Sequence, residues 1–356
     1  MLENLKKITA AFAVGVLLSS TAIAQDTRKL TYSTFYGPKE FYEVSAIHFM
    51  KQLTETTGKK VTFETYYGGS LLKAMETLPG LSRGAVDFAV VSPILNPREF
   101  PLSSIVLPFI TENPVASTAA FKELHDETPA LQEEFRRKNL KLLWALSSGE
   151  NTLWTNKPVK TLGDLKGARI RSIGSVADSL ITLGATPVGV PWVEALELMQ
   201  RGGVEGVSAT AFNQAAVAGT IDMATHVSNG GRMGVYTTIM WAMNLDVWKS
   251  LDQKTKDAIE KVSLDVPRNY FESFDTEVNK AVAAVKKSKL TYVHLDDAEV
   301  KRWQDIGRPA AHERWRKAAE GSGVDPQALL ARYRVLVAKH EAARPYVTGF
   351  DRLRAN

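Results

Sequence analysis

Apolar positions in the first part of the chain switch between strand-like and helix-like spacing. Leu30 to Phe35 and Val61 to Tyr66 are rich in β-forming residues, which predicts two strands. Between them, apolar residues at helical spacing over 42–53 predict a helix. Phe88 to Val91 is a short apolar run, which is typical of a strand buried on both faces. This β-α-β-α-β order favours a parallel sheet with right-handed crossovers.

A second set of strand and helix patterns follows, centred on the stretch from Leu162 to Gly206. This stretch predicts a turn, a strand, a helix, a second strand and a second helix, with residues 169–171 alternating as the first of these strands. The apolar run from Tyr236 to Met243 predicts a strand that crosses back toward the first set. Helical patterns cover 251–290, 297–320 and 326–343, and Asp325 followed by proline predicts the start of the last helix.

These patterns predict an α/β protein with two lobes. We expect residues 25–149, together with about 237–281, to form the first lobe. We expect residues 150–236, together with about 282–356 and its C-terminal helices, to form the second lobe.

The first 24 residues have the pattern of an export signal. Lys6 and Lys7 precede an apolar run from Ile8 to Leu18, and Ala22-Ile23-Ala24 is a small-residue cleavage site. An uncleaved membrane anchor is the alternative, but the apolar run is short for a bilayer. We therefore predict a cleaved signal peptide over 1–24 and a periplasmic location.

Composition narrows the function classes. The chain has a formal net charge of +5 and no dense basic block, which argues against nucleic acid as a partner. It contains no cysteine, which excludes disulfides, thiol catalysis and cysteine-based metal sites.

The sequence lacks the common nucleotide-binding and catalytic motifs. It has no dinucleotide-binding glycine fingerprint, no phosphate-binding loop and no nucleophile elbow. The six histidines are scattered, and no pair of carboxylates stands out as an acid and a base. The sequence therefore predicts a binding protein and not an enzyme, with no cofactor and no metal-ligating residues of its own. It does not decide whether a metal ion bridges the ligand.

Arg171 is the strongest single candidate for ligand recognition. It ends a predicted strand, and ligands of open α/β sheets bind in the crevice beyond the ends of such strands. Its planar guanidinium can offer two parallel N–H donors to a carboxylate and stays charged. From spacing alone, a surface arginine or a structural ion-pair partner is the more common explanation of such a residue.

Several segments in fixed order identify a family. The sequence Tyr67-Gly68-Gly69-Ser70-Leu71, the sequence Arg83-Gly84-Ala85-Val86-Asp87, the segment 164–171 and the segment 194–206 together resemble the solute-binding proteins of tripartite ATP-independent periplasmic (TRAP) transporters, of the C4-dicarboxylate-binding type. The resemblance implies a type II-like periplasmic binding fold with a mixed sheet flanked by helices in each lobe. Hinge strands and a long helix would join the lobes, which would close on a small organic acid. It also implies delivery of this acid to TRAP membrane subunits. We expect a monomer in which C-terminal helices such as 326–343 pack on the protein's own surface, with pairing between subunits as the alternative.

The resemblance also suggests site residues. Arg171 matches the family's carboxylate-binding arginine, and Trp192 falls where the family often places an aromatic ring, although a core tryptophan is the alternative. The remaining ligand-binding candidates lie in or near segments expected to face the cleft. They are Tyr36, Ser92, Asn151, Phe212, Asn213 and Trp241.

Two positions depart from the sialate-binding members of the family. Asn151 stands where those members have a second arginine, and Ala209 stands where they have an asparagine. Both changes remove polar contacts, which argues against sialic acid. With Trp154 and other aromatic residues expected near the cleft, we predict a smaller or more apolar monocarboxylate, aromatic acids included.

Other functions remain open on the sequence alone. The chain could serve an ATP-driven importer, present its ligand to a membrane sensor, or be an enzyme that reuses the fold. A gene neighbourhood with many-spanning membrane proteins and no ATPase would favour the TRAP hypothesis.

Overall fold

The computed structural model describes residues 27–354, so the predicted signal peptide lies outside the described residues. The first lobe contains a five-stranded sheet in the order β2-β1-β3-β10-β4, in which β1 is parallel to β2 and β3, and β10 runs antiparallel between β3 and β4. Its strands are β1 (Arg28–Ser33), β2 (Val61–Tyr66), β3 (Phe88–Val91), β4 (Leu140–Ser147) and β10 (Thr238–Asn244). Its helices are α1 (Glu43–Thr56), α2 (Thr77–Ser82), α3 (Pro114–Glu127), α4 (Pro129–Arg136) and α9 (Leu245–Ser250).

The second lobe contains a six-stranded sheet in the order β11-β9-β5-β8-β6-β7. In this sheet, β6 is parallel to β7 and β8, whereas β5 is antiparallel to β8 and β9. Its strands are β5 (Leu153–Thr155), β6 (Arg169–Arg171), β7 (Thr186–Val188), β8 (Gly206–Val207), β9 (His226–Ser228) and β11 (Thr291–Val293). Its helices are α5 (Gly174–Thr182), α6 (Trp192–Gln200), α7 (Phe212–Val217) and α8 (Thr220–Met223). Both sheets are mixed and flanked by helices, which confirms the predicted fold class.

Two long helices connect the lobes, where one was predicted. The first, α10 (Gln253–Lys287), packs on α1 and β4 of the first lobe and on α7 of the second. The second, α11 (Asp297–Ala319), places Trp303 in the core of the second lobe and Trp315 in that of the first. Pro309 lies in α11 between these two tryptophans.

Aspartate caps fix where the C-terminal helices begin. Each carboxylate accepts a hydrogen bond from a backbone N–H of the first turn, which would otherwise lack a partner. The caps are Asp252 on α10, Asp296 on α11 and Asp325 on α12 (Pro326–Ala343). The start predicted for the last helix is therefore confirmed.

The last long helix lies on a different lobe from the one expected. Residues 282–356 were all expected on the second lobe, whereas α12 packs on α3 of the first. Tyr333 of α12 is fully buried there, and its hydroxyl lies 2.7 Å from that of Ser117. The helix occupies this place because its apolar face completes the core under α3. The chain then returns through α13 (Gly349–Arg352) to pack on α7 and α10.

Candidate ligand-binding site

A cavity of about 50 Å³ lies between the lobes. The first lobe contributes residues that follow the ends of β1 and β3, and the second contributes residues that follow β6, β7 and β8. Five aromatic residues form much of its wall: Phe35, Tyr36, Tyr42, Trp192 and Tyr236. Its position matches the general rule that ligands of α/β sheets bind beyond the carboxyl ends of strands.

Arg171 is the charged residue of this cavity lining, and it is fully buried. Its Nε donates to the carbonyl oxygen of Val190 at 2.9 Å, and its Nη1 donates to those of Ser208 and Ala209, both at 3.1 Å. Within residues 27–354, its Nη2 has no hydrogen-bond partner, and no carboxylate forms an ion pair with it. Neutral carbonyls orient the guanidinium but leave its charge uncompensated.

The electrostatics of Arg171 favour an anion in the cavity. Burial lowers the pKa of Arg171 to about 10, so the side chain remains charged at neutral pH. A buried charge without a partner is unfavourable unless it is paired and hydrogen-bonded. An anionic ligand would supply that partner, and the planar guanidinium suits a carboxylate.

Two tyrosines add hydrogen-bond donors to the same region. The charge of Arg171 acts on the pKa of both Tyr36 and Tyr236, but burial outweighs it and raises both pKa values. Both side chains therefore stay protonated at neutral pH. Neither hydroxyl has a partner among the residues described, which leaves both free to bond an oxygen of a ligand.

Trp192 lies beside the guanidinium at the start of α6. The Cζ atom of Arg171 is 5.7 Å from the centroid of the Trp192 ring, a distance that allows a cation–π interaction. The ring is only partly buried in the apolar core, and it lines the cavity. It can thus form an apolar wall next to the cation.

Four of the predicted site residues come together in this cavity: Tyr36, Ser92, Arg171 and Trp192. Phe212 and Trp241 lie in the hydrophobic core. Phe212 stacks with Trp154 at 6.0 Å between ring centroids, and Trp241 stacks with Trp144 at 5.2 Å. None of these four stacked rings is part of the cavity lining.

The two predicted asparagines are buried behind the cavity. Asn213 is 3% exposed and Asn151 is 1% exposed, and neither side chain lines the cavity. Asn151 instead contacts the turn at Ser208 and Ala209.

Sequence reasoning missed five polar or aromatic residues of the lining: Phe35, Tyr42, Gln214, Tyr236 and Thr237. Phe35 follows the end of β1, so the strand-end rule that singled out Arg171 could have found it as well. Tyr236 lies just before β10, in the segment that leads from the second lobe to the first. Only the tertiary fold brings it into the same cavity lining as Arg171.

A buried carboxylate in the first lobe makes stability depend on pH. Glu43 begins α1, is fully buried, and accepts a hydrogen bond from the hydroxyl of Tyr32 at 3.0 Å. Burial raises the pKa of Glu43 to about 8. The folded protein therefore keeps this proton up to about pH 8, whereas an unfolded glutamate loses it near pH 4.3. Since the folded state binds more protons in this window, stability falls as pH rises through it.

Replacing Glu43 by glutamine should remove this loss. We expect Glu43→Gln to raise the free energy of unfolding by about 2–4 kcal/mol at pH 8 and to change it little at pH 4. Urea unfolding at the two pH values measures the difference. Glu55→Gln, at the exposed end of the same helix, is the matched control. An equal gain at both pH values would contradict the assignment.

Comparison with known proteins identifies the family. The sequence profile of the bacterial extracellular solute-binding protein family 7 (DctP) matches residues 32–318. The chain belongs to this family. The resemblance found in the sequence is therefore confirmed.

Solved structures of TRAP solute-binding proteins share the fold of this family 7 member. One from Desulfovibrio salexigens is 27% identical, covers 90% of this chain and 99% of its own, and has a TM-score of 0.77. One from Rhodoferax ferrireducens, in complex with copurified benzoate, is 22% identical, with 89% and 99% covered and a TM-score of 0.77. One from Bordetella bronchiseptica, with bound (R)- and (S)-mandelate, is 23% identical, with 88% and 99% covered and a TM-score of 0.78.

Family 7 proteins are extracytoplasmic receptors, and their role is to bind a solute and deliver it to a TRAP transporter. The predicted function, capture of a solute between two lobes for such a transporter, is confirmed by this membership. Over residues 27–354, no helix has the length and apolar character needed to cross a membrane.

Proposed function

We propose that this family 7 protein captures a monocarboxylate with a compact apolar or aromatic body. The observation that carries the proposal is the buried guanidinium of Arg171, which lines the cavity and has no acidic partner in the described part of the chain. The free hydroxyls of Tyr36 and Tyr236 lie in the same lining and would bond the carboxylate. The surrounding aromatic rings would enclose the rest of the ligand.

The lining argues for one carboxylate and not two. Of the described residues that line the cavity, Arg171 is the single arginine or lysine, so a second carboxylate would be buried without a cation. This ligand class agrees with the acids held by two relatives of the same fold, benzoate and mandelate.

Cavity size bears on how far the lobes close. A cavity of 150 Å³ admits benzene in another protein, and the cavity here has about 50 Å³. An aromatic acid would therefore hold the lobes slightly farther apart than they are in this structure. Smaller acids would fit with full closure.

We also propose the wider context in which the protein acts. Residues 1–24 would direct export and be removed, and the mature chain would work in the periplasm as a monomer, with TRAP membrane subunits as its partner. Packing of α12 on its own lobe supports the monomer, because this apolar face is already covered. The protein would bind its ligand without converting it.

A thermal-shift screen of refolded protein tests the ligand class. Benzoate, mandelate and lactate represent monocarboxylates, succinate a dicarboxylate, and benzamide the uncharged counterpart of benzoate. A ligand at about a thousand times its Kd adds about 4 kcal/mol to stability, which should raise Tm by several degrees. We expect a shift with at least one monocarboxylate, and none with succinate or benzamide. A shift with succinate alone, or with benzamide as large as with benzoate, would overturn the proposal.

A further inference from the structure

The two positions that depart from the sialate-binding pattern are in direct contact. The Oδ1 atom of Asn151 accepts a hydrogen bond from the backbone N–H of Ala209 at 2.8 Å. The same oxygen accepts one from the hydroxyl of Ser208 at 3.1 Å. Asn151 is 1% exposed and does not line the cavity, so these contacts are made from behind the site.

Ala209 has an unusual backbone conformation. Its φ is +51°, in the left-handed region that costs an L-residue about 1–2 kcal/mol. At this turn, the carbonyl oxygens of Ser208 and Ala209 both accept from Nη1 of Arg171, at 3.1 Å each. Two successive carbonyls can converge on one nitrogen here because the chain does not continue as a strand. The turn thus holds the guanidinium in place.

Asn151 also belongs to the crossing between the lobes. Its backbone N–H donates to the carbonyl oxygen of Gly234 at 2.8 Å, and it forms an isolated β-bridge with Ala211. The oxygen that holds the Ala209 turn is therefore fixed to the segments that join the lobes.

We infer that Asn151 is a positioning residue for Arg171, which it aligns by stabilising the left-handed turn at Ala209. This inference rests on the proposed carboxylate-binding role of Arg171. A carboxamide suits the position because its oxygen accepts both hydrogen bonds without carrying a negative charge. An aspartate would accept them too, but its charge would compete with the ligand for Arg171.

Isothermal titration with benzoate tests the inference in a mutant cycle. Asn151→Ala should weaken benzoate binding about tenfold, because the turn loses two hydrogen bonds. The Kd of Ala209→Gly alone serves as the reference for the double variant. In the double variant, glycine adopts the left-handed conformation without strain, so most of the affinity should return. A direct ligand contact by Asn151 would not be rescued in this way, and absence of rescue would overturn the inference.

A second cycle separates positioning from direct contact. Because Asn151 acts through Arg171, Asn151→Ala should add no further loss to Arg171→Met, measured by the benzoate-induced rise in Tm at high concentration. Additive losses would contradict the inference. If Asn151→Ala does not fold, Asn151→Asp retains the acceptor, and it should weaken benzoate binding at least tenfold. Unchanged affinity in Asn151→Asp would contradict the part of the inference that requires a neutral side chain at this position.

Failure of the proposed function has a separate signature. If the wild-type protein binds neither benzoate nor any other acid of the screen, the carboxylate role of Arg171 fails first. If the wild type binds benzoate and Asn151→Ala binds it equally well, only the positioning role fails.

Discussion

Arg171→Met is expected to weaken carboxylate binding by about 10²- to 10³-fold. The guanidinium is buried in the cavity wall, and removing one partner of a buried charge pair costs about 3–5 kcal/mol. A difference of 1.4 kcal/mol is a tenfold change in Kd. Isothermal titration with benzoate, or with whichever monocarboxylate gives the largest thermal shift, measures the loss.

The same substitution should change the stability of the protein without ligand little, because the loss of three hydrogen bonds to carbonyl oxygens opposes the gain from removing a buried charge. Among residues 27–354, Arg171 has no acidic partner, and an apolar side chain of similar length removes an uncompensated buried charge. Arg169→Met is the matched control, since Arg169 lies on the same strand but is exposed. It should change the affinity little. A large fall in Tm without ligand, together with unchanged affinity, would show that Arg171 is a structural residue.

Gly234→Ala is expected to lower the free energy of unfolding by about 3 kcal/mol or more. Gly234 lies between β9 and β10, in the segment that leads from the second lobe to the first. Its φ of +67° disfavours any residue with a Cβ. A Cβ added there would overlap the carbonyl group of Thr111, which already accepts a hydrogen bond from Val235. Overlap with backbone cannot be relieved by a rotamer change, so it adds to the conformational cost.

Gly219→Ala separates the two contributions. Gly219 has a φ of +93°, but a Cβ there would have no atom within 4 Å. Gly219→Ala should therefore lower the free energy of unfolding by only about 1 kcal/mol, which is the cost of the backbone conformation alone. Urea unfolding of both variants gives the comparison. Equal losses in the free energy of unfolding would show that the backbone at Thr111 shifts to make room for the added Cβ. The cost at Gly234 would then come from its backbone conformation alone.

The spacing of apolar residues predicted helices and strands correctly where the turn residues at their ends favour the same structure. The segment 162–206 forms the strand, helix, strand and helix expected of it, because its apolar spacing and its turn residues favour the same structure. Residues 115–138 also have helical apolar spacing, which alone would favour one continuous helix, but they fall in two helices because Pro129 starts α4. Placement of α12 depends on which apolar surface it completes, and that surface exists only in the folded lobe.

Candidate site residues were predictable only in part. Arg171 could be found because a strand-end arginine and a family motif coincide. Trp192 and Trp241 were both plausible as cleft residues, since an aromatic ring has the same pattern in a core as in a cavity wall. The structure separates them, because Trp241 packs against Trp144 while Trp192 faces the guanidinium. Asn151 was placed near the site, but its bond to the Ala209 turn requires a non-local contact that spacing does not reveal.

The proline of α11 has a mechanical consequence. Proline supplies no backbone N–H, so one hydrogen bond is missing from the helix at Pro309. The N-terminal half of α11 packs in one lobe through Trp303, and the C-terminal half packs in the other through Trp315. The helix is thus least stiff where it passes between two anchored halves. Bending at this joint would let the angle between the lobes change while each half keeps its own packing.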